Sequence, residues 1–487
     1  MRFARLLALV AAAGLAPAAR ADVTPHPLFT DHMVLQRDAD VPVWGLAAPG
    51  EEVTVAVGEA SAKAKAGDDG KWSAKLPAQK AANGLTLTIK GKNAVELKNV
   101  AFGDVWVCSG QSNMEWSINA SWDAEKYKAG ANNKMVRLFT VAKRTSLTPL
   151  ADQGDLKHFS GWAESGPGNV GGFSAVAYHF GSHLQKTVPG NVAIGLIHTS
   201  WGGTSAQAWT STEALAAVPE LKYYADAAKG AKAPTGPGTP GCLYNAMIHP
   251  LLPFAIKGAI WYQGESNAGK AAEYRTLFPT MIKDWRARWG NDFPFLCVQL
   301  APWHANDADG VSWAELREAQ LFATQTLPRV GMAVITDVGD LFDIHPKDKF
   351  TVGVRLGLSA RGMVYGQKIV HSGPVYKSLK VEGNKAVVSF DHVGGGLAGK
   401  YGTINGFEIC GKDRVFHPAR AAIKGETVEV TAAGVEAPVA VRFGWKNYPV
   451  TNLFNLNPDK KGGPALPATP FRTDDFPLTT ATPPAKK

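Results

Sequence analysis

At 487 residues, 45% hydrophobic and 19% charged, the chain has the composition of a folded globular protein and enough length for roughly two to four domains, which excludes a wholly disordered protein. Its formal net charge of +9 is thinly spread and no dense Lys/Arg run is interleaved with aromatics, so nucleic-acid binding is not expected. Four cysteines, Cys108, Cys242, Cys297 and Cys410, are too few for a disulfide scaffold, and no pair has zinc-site spacing. Cys108 and Cys297 lie in apolar runs and read as core residues, and a single bridge involving Cys242 is left open, since spacing cannot show it.

The N-terminus opens on Arg2 and Arg5, continues through an apolar run broken by Gly14 and Pro17, and reaches a small-residue cleavage site at Ala19-Arg20-Ala21. Residues 1–21 are therefore expected to be a cleaved secretion signal, which makes the protein secreted or periplasmic. No later stretch reaches the roughly 18 apolar residues that a membrane span needs. Residues 22–100 hold short runs of β-formers at 33–36, 41–44, 53–57, 72–76 and 85–89, separated by Pro-Gly and Asp-Asp-Gly turns, the pattern of a small β-sandwich. A packing module is favoured over a carbohydrate-binding one.

From about residue 101 strands alternate with longer helical patterns, as in an α/β domain with a mainly parallel sheet. The first strand candidate is 104–108, followed by apolar runs at 192–197, 256–262, 294–301 and 330–336, with helices expected near 174–186, 213–228, 270–289, 313–327 and 350–363. A Pro/Gly loop spans 233–241. After about 371 the chain is β-rich again, with runs at 378–381, 385–390, 427–430 and 439–443, so a second β-sandwich-like domain is expected over 371–475 and a flexible tail over 476–487.

Four polar stretches follow apolar runs in the central region: Gly110-Gln111-Ser112-Asn113-Met114-Glu115, Trp201-Gly202-Gly203-Thr204, Gln263-Gly264-Glu265-Ser266 and Asp343-Ile344-His345-Pro346. In an open α/β sheet, ligands bind beyond the carboxyl ends of the strands, so these stretches are expected to meet. Ser112 stands where a buried strand ends in a glycine turn, a position that suits a nucleophile. A lone Ser in a Gly-Ser-Asn run is more often a plain turn residue, and its company decides the matter. The α/β-hydrolase elbow Gly-x-Ser-x-Gly is absent.

Together the four stretches resemble the SGNH hydrolases, and the surrounding sequence looks like the sialate O-acetylesterase branch of bacterial carbohydrate esterases over most of the chain. The resemblance implies a central three-layer α/β domain, over 101–370, flanked by the two β domains. It also implies a serine esterase without cofactor or metal: Ser112 as nucleophile, His345 as base and Asp343 as the acid that orients it. The Ser112 backbone N–H, Gly202 or Gly203 and a side-chain amide would receive the oxyanion. Two departures stand out. Asp343-Ile344-His345 is one residue shorter than the usual Asp-x-x-His, which leaves Asp340, Asp337 or a backbone carbonyl as alternative partners for His345. The usual Asn of the third stretch is missing, and Gln263 supplies the amide in its place.

Trp116, Trp201, Trp209 and Trp261 lie near the motifs as candidates for stacking on sugars, each more often a core residue. Arg317, in a helical stretch shared with the family, is a candidate contact for an acidic sugar, with a salt bridge as the ordinary alternative. His179 and His183 are four apart on a helix, but with no intervening Glu and no further ligand a metal site is rejected. The substrate expected is an acetylated carbohydrate, foremost O-acetylated sialic acid. Acetylated xylan or xyloglucan, a non-catalytic glycan-binding protein, and a lipase or peptidase are the alternatives, and the oligomeric state is left open.

Overall fold

One long strand, Ala94–Gly110, runs through both the N-terminal β region and the central sheet. Its first half alternates exposed and buried residues, whereas every residue from Val100 onward is buried. That change matches its neighbours: a one-sided β layer first, then a sheet covered on both faces. The structure is a computed structural model that describes residues 22–151, 161–307, 310–457 and 466–481. The expected leader, 1–21, lies outside these residues.

The large sheet is built from β1 (Ala94–Gly110), β2 (Asn133–Thr140), β3 (Ala163–Ser165), β4 (Ile194–Ser200), β5 (Gly258–Tyr262), β6 (Phe295–Val298) and β7 (Val330–Ala333), in the order β3-β2-β4-β1-β5-β6-β7. All neighbouring pairs are parallel except β3 with β2. Alternate residues of β1 enter opposite layers. Val105 and Val107 pack with α2 (Ala271–Trp289) and α3 (Ser312–Thr326), while Trp106 and Cys108 pack with α1 (Ala175–Thr187) and α4 (Lys349–Met363). The centre is thus a helix–sheet–helix sandwich. One expected helix differs: 213–228 is split into Thr212–Ala216, a tight turn Pro219–Leu221 and Lys222–Lys229, because Pro219 has no N–H to continue the helical ladder.

No linker separates the N-terminal β region from the centre at the expected boundary of 100/101. Glu52–Val57, Ala60–Lys65 and Ala82–Lys90 join the large sheet through the first half of β1, and Val34–Gln36 pairs with it in parallel. A three-stranded sheet of Thr24–Pro25, Val41–Leu46 and Lys71–Leu76 packs on this layer around Val43, Val55, Trp72 and Ile89.

The C-terminal region has a core of its own. Val388, Val428 and Val430 from one four-stranded sheet meet Ile409, Val441, Phe443 and Phe471 from another. The expected flexible tail is anchored in its described part: Thr479 and Thr480 donate backbone and hydroxyl hydrogen bonds to the buried Glu315 carboxylate at 2.6–3.0 Å. All four cysteines are buried and free, so Cys242 forms no bridge.

Candidate active site

The register of the sheet sets the site. Gly110, the last residue of β1, is level with Ser200 on β4 and with Tyr262 on β5. Its φ is +143°, and a Cβ there would lie 2.1 Å from the Tyr262 carbonyl, so the chain can turn this tightly beside β5 only with glycine. Two residues beyond the level of Gly110 stand Ser112, Gly202 and Gly264, one from each of three adjacent strand ends. The switch point of the sheet falls here, since the chain winds to one side of β1 through β2 and β4 and to the other through β5, β6 and β7.

Ser112 opens a short helical turn, Ser112–Glu115, and its Oγ lies 2.9 Å from His345 Nε2. The two residues, 233 apart in sequence, share a cavity of about 780 Å³ that Trp116, Trp201, Gly202, Lys143 and His198 also line. The Trp116 ring is stacked on the His345 imidazole, with centroids 4.5 Å apart and planes 14° from parallel, which fixes the plane of the ring. The imidazole is held below its ordinary pKa, first by burial and then by the buried Lys349 ammonium, against the opposite pull of Asp343. A hydroxyl in contact with an imidazole that is neutral at pH 7 is the arrangement of an activated nucleophile and its base.

Among the three acids, Asp343 is the one within reach of the imidazole. Its Oδ1 lies 3.6 Å from His345 Nδ1, longer than a normal hydrogen bond, and the same oxygen accepts the His345 backbone N–H at 2.8 Å. Asp337 is held by a two-pronged contact with Arg355, and Asp340 accepts the N–H groups of Phe342 and Asp343.

The oxyanion donors are only partly assembled. The Ser112 N–H begins the helical turn and has no acceptor within it. The Gly202 N–H already donates to a carboxylate oxygen of Glu115 at 2.7 Å, and Gly203, in the left-handed region at φ +72°, is exposed. Gln263 departs from expectation. Its side chain is fully buried, Nε2 donates to Asn267 Oδ1 at 2.8 Å and to the Thr204 carbonyl at 3.3 Å, and Oε1 accepts the Tyr274 hydroxyl. Its amide is spent on bracing two loops and does not line the cavity.

The two expected substrate contacts are also corrected. Trp209 is fully buried, its Nε1–H given to Thr204 Oγ1, and it meets Trp261 edge-on within the core. Arg317 is buried too, and its guanidinium donates to the carbonyls of Leu300, Ala301, Lys446 and Asn447, joining α3 to the C-terminal domain. His179 is buried and pushed down to about 4, as desolvation disfavours its charged form. No group of three or more metal-ligating His, Cys, Asp or Glu side chains occurs among the described residues.

Several groups went unnoticed in the sequence. Asn113 is wholly buried; its amide donates to Glu265 Oε1 and to the Ile344 carbonyl, and its Oδ1 accepts the Lys349 ammonium. The buried Lys349 and the half-buried Glu265 thus form a pair of opposite sign bridged by an amide. Burial drives Lys349 down to about 7 and Glu265 up. The signal for Asn113 was its place beside Ser112; a lysine at the start of a helix gave none. Glu115 pairs with Lys143 on the cavity wall, and His198 Nε2 lies 2.6 Å from Ser200 Oγ on its floor.

A model of the family described as carbohydrate esterase, sialic acid-specific acetylesterase, matches residues 102–345. The chain is 31% identical to a sialate O-acetylesterase of Homo sapiens, covering 91% of each chain, and 30% identical to that of Mus musculus, covering 86% of this chain and 88% of the other. In three dimensions it is similar to a carbohydrate acetylesterase from Xanthomonas citri, with a TM-score of 0.84 and 40% identity over 93% of this chain and all of that one. No helix among the described residues is long and apolar enough to cross a membrane. The chain belongs to the sialic acid-specific acetylesterase family of carbohydrate esterases.

Proposed function

We propose that this carbohydrate esterase removes O-acetyl groups from sugars through an acetyl-serine intermediate. Ser112 Oγ attacks the acetyl carbonyl carbon as its proton passes to His345 Nε2, and the imidazolium then returns that proton to the departing sugar oxygen. Water, deprotonated in turn by His345, attacks the acetyl carbon; the acetyl-serine bond breaks, acetate leaves, and the imidazolium returns its proton to Ser112 Oγ. Asp343 steadies the imidazolium, and the Ser112 N–H receives the oxyanion, joined by Gly202 if Glu115 releases it. The observation that carries this reading is the 2.9 Å contact between Ser112 Oγ and His345 Nε2 inside an open cavity. The basic, apolar and small-residue succession over 1–21 supports export, which N-terminal sequencing of the exported protein would check.

The curated relatives point to O-acetylated sialic acid as the substrate. A second reading, acetyl removal from a neutral polysaccharide such as xylan or xyloglucan, is favoured by the cavity's charge. Among the described residues Lys143 is the one Lys or Arg lining it, and Glu115 neutralises that ammonium where a sialic acid carboxylate would need a free cation. Acetate release from acetylated sialosides, xylan and xyloglucan separates the two. Ser112→Ala should lower turnover of an aryl acetate by about 10⁴-fold or more, and equal rates would remove Ser112 from the mechanism.

A further inference from the structure

The tryptophans nearest the catalytic pair have their ring faces engaged. Trp116 is covered by His345, Trp201 faces the Lys143 ammonium at 5.4 Å, and Trp209 and Trp261 are buried. Trp122 differs. It is 62% exposed, and among the described residues its ring meets no other ring or cation and its Nε1–H has no acceptor. It is nevertheless fixed beside the site, because its backbone N–H donates to the Lys347 carbonyl at 3.0 Å, and Lys347 is two residues, at most about 7 Å of chain, from His345. Ala120, two residues before it, lines the cavity.

Phe342 is 81% exposed and stands three residues before His345. Its loop is pinned by the Phe342 N–H, given to Asp340 Oδ1 at 2.9 Å, and among the described residues its one aromatic neighbour is His304, edge-on at 6.0 Å. Single exposed apolar rings are common on protein surfaces, and what sets these two apart is their place: both are tied to the loop that carries the base. Acetyl transfer itself does not need them, since the acetyl group fits beside Ser112. A sugar ring has an apolar face of C–H groups that lies flat on an aromatic ring, and its hydroxyls match the free indole N–H.

We propose that Trp122 and Phe342 are sugar-stacking subsites at the mouth of the cavity, so that the enzyme takes its acetylated residue as part of a longer glycan chain and not as a free monosaccharide. This rests on the esterase reading for its substrate class, but the test separates the two. Acetate release would be measured from acetylated xylan, acetylated xyloglucan and an O-acetylated sialo-oligosaccharide, each against the monosaccharide bearing the same ester, with para-nitrophenyl acetate as a glycan-free ester. For the chain hydrolysed fastest, wild type should prefer the chain to its monosaccharide, and Trp122→Ala or Phe342→Ala should each reduce that kcat/KM preference by about tenfold, with Trp122→Phe retaining most of it. A preference left unchanged by both alanine variants, or a wild-type preference for the monosaccharide, would overturn the proposal. If no ester at all is turned over, the esterase reading falls by itself. The rim is then decided by calorimetry of Ser112→Ala with the same chains, where binding weakened by adding Trp122→Ala supports it and binding unaltered by that change refutes it.

Discussion

The side-chain amide of Asn113 donates to the backbone carbonyl of Ile344 at 3.0 Å, which ties the neighbour of Ser112 to the neighbour of His345. Two loops from opposite ends of the domain are thereby held in register by one buried residue. Asn113→Ala removes that tether and also strips partners from the half-buried Glu265 and the buried Lys349. Each orphaned buried polar group costs about 1–3 kcal/mol, so the variant should be measurably less stable in urea and lose kcat on an aryl acetate by about 100-fold. A stable variant with wild-type kcat would show that the loops keep their spacing without it.

Asp343 gives His345 a weak hold. At 3.6 Å from Nδ1 and with a side chain 42% exposed, it lacks the dry, close geometry in which losing the acid costs about 10⁴-fold in kcat. Asp343→Asn should therefore cost about 10- to 100-fold. It should also move the acid limb of kcat/KM to lower pH, because the carboxylate raises the imidazole pKa and its removal lowers it. Asp340→Asn should change neither kcat nor the profile. The reverse ranking would make Asp340 the orienting acid.

The acid limb should also report Lys349. Burial and this ammonium both hold the His345 pKa below its ordinary value, so the imidazole stays neutral into mildly acidic solution, and on the proposed mechanism the enzyme should stay active there. Lys349→Met withdraws a neighbouring positive charge, which favours the imidazolium and raises its pKa. The acid limb of kcat/KM should move to higher pH, the opposite direction from Asp343→Asn. A shift to lower pH would mean that Lys349 acts on His345 through something other than its charge.

How far the sequence revealed the site follows from the range of the forces involved. Ser112 was legible because a strand ending in a glycine turn is a local pattern, and the Asp343-Ile344-His345 stretch because it resembles the last motif of the family; the sheet then brings them together. The strand from Ala94 to Gly110 was read only over 104–108, with a domain boundary placed at 100/101, since its apolar pattern changes at Val100 and continuity through such a change has no local signature. Gln263, Trp209 and Arg317 each have the right chemistry for a site but the wrong burial. Which amide, indole or guanidinium turns inward depends on partners far along the chain, such as Tyr274, Trp261 and Asn447. For the same reason the buried Lys349 looked like any surface lysine.

Arg317 makes that point testable. Its guanidinium is fully buried, has no carboxylate partner among the described residues and serves four carbonyls, two on the sheet side at Leu300 and Ala301 and two on the C-terminal side at Lys446 and Asn447. Burial lowers it to about 9, so it is still charged at neutral pH. Arg317→Met fills similar space but leaves those acceptors dry, which should cost about 3–5 kcal/mol and lower the melting temperature. Lysine should restore only part of the loss, since its compact ammonium cannot span four acceptors as the planar fork does. Because Arg317 does not line the cavity, the ratio of kcat/KM between acidic and neutral acetylated sugars should stay constant in both variants. A change in that ratio, at equal stability, would return Arg317 to substrate recognition.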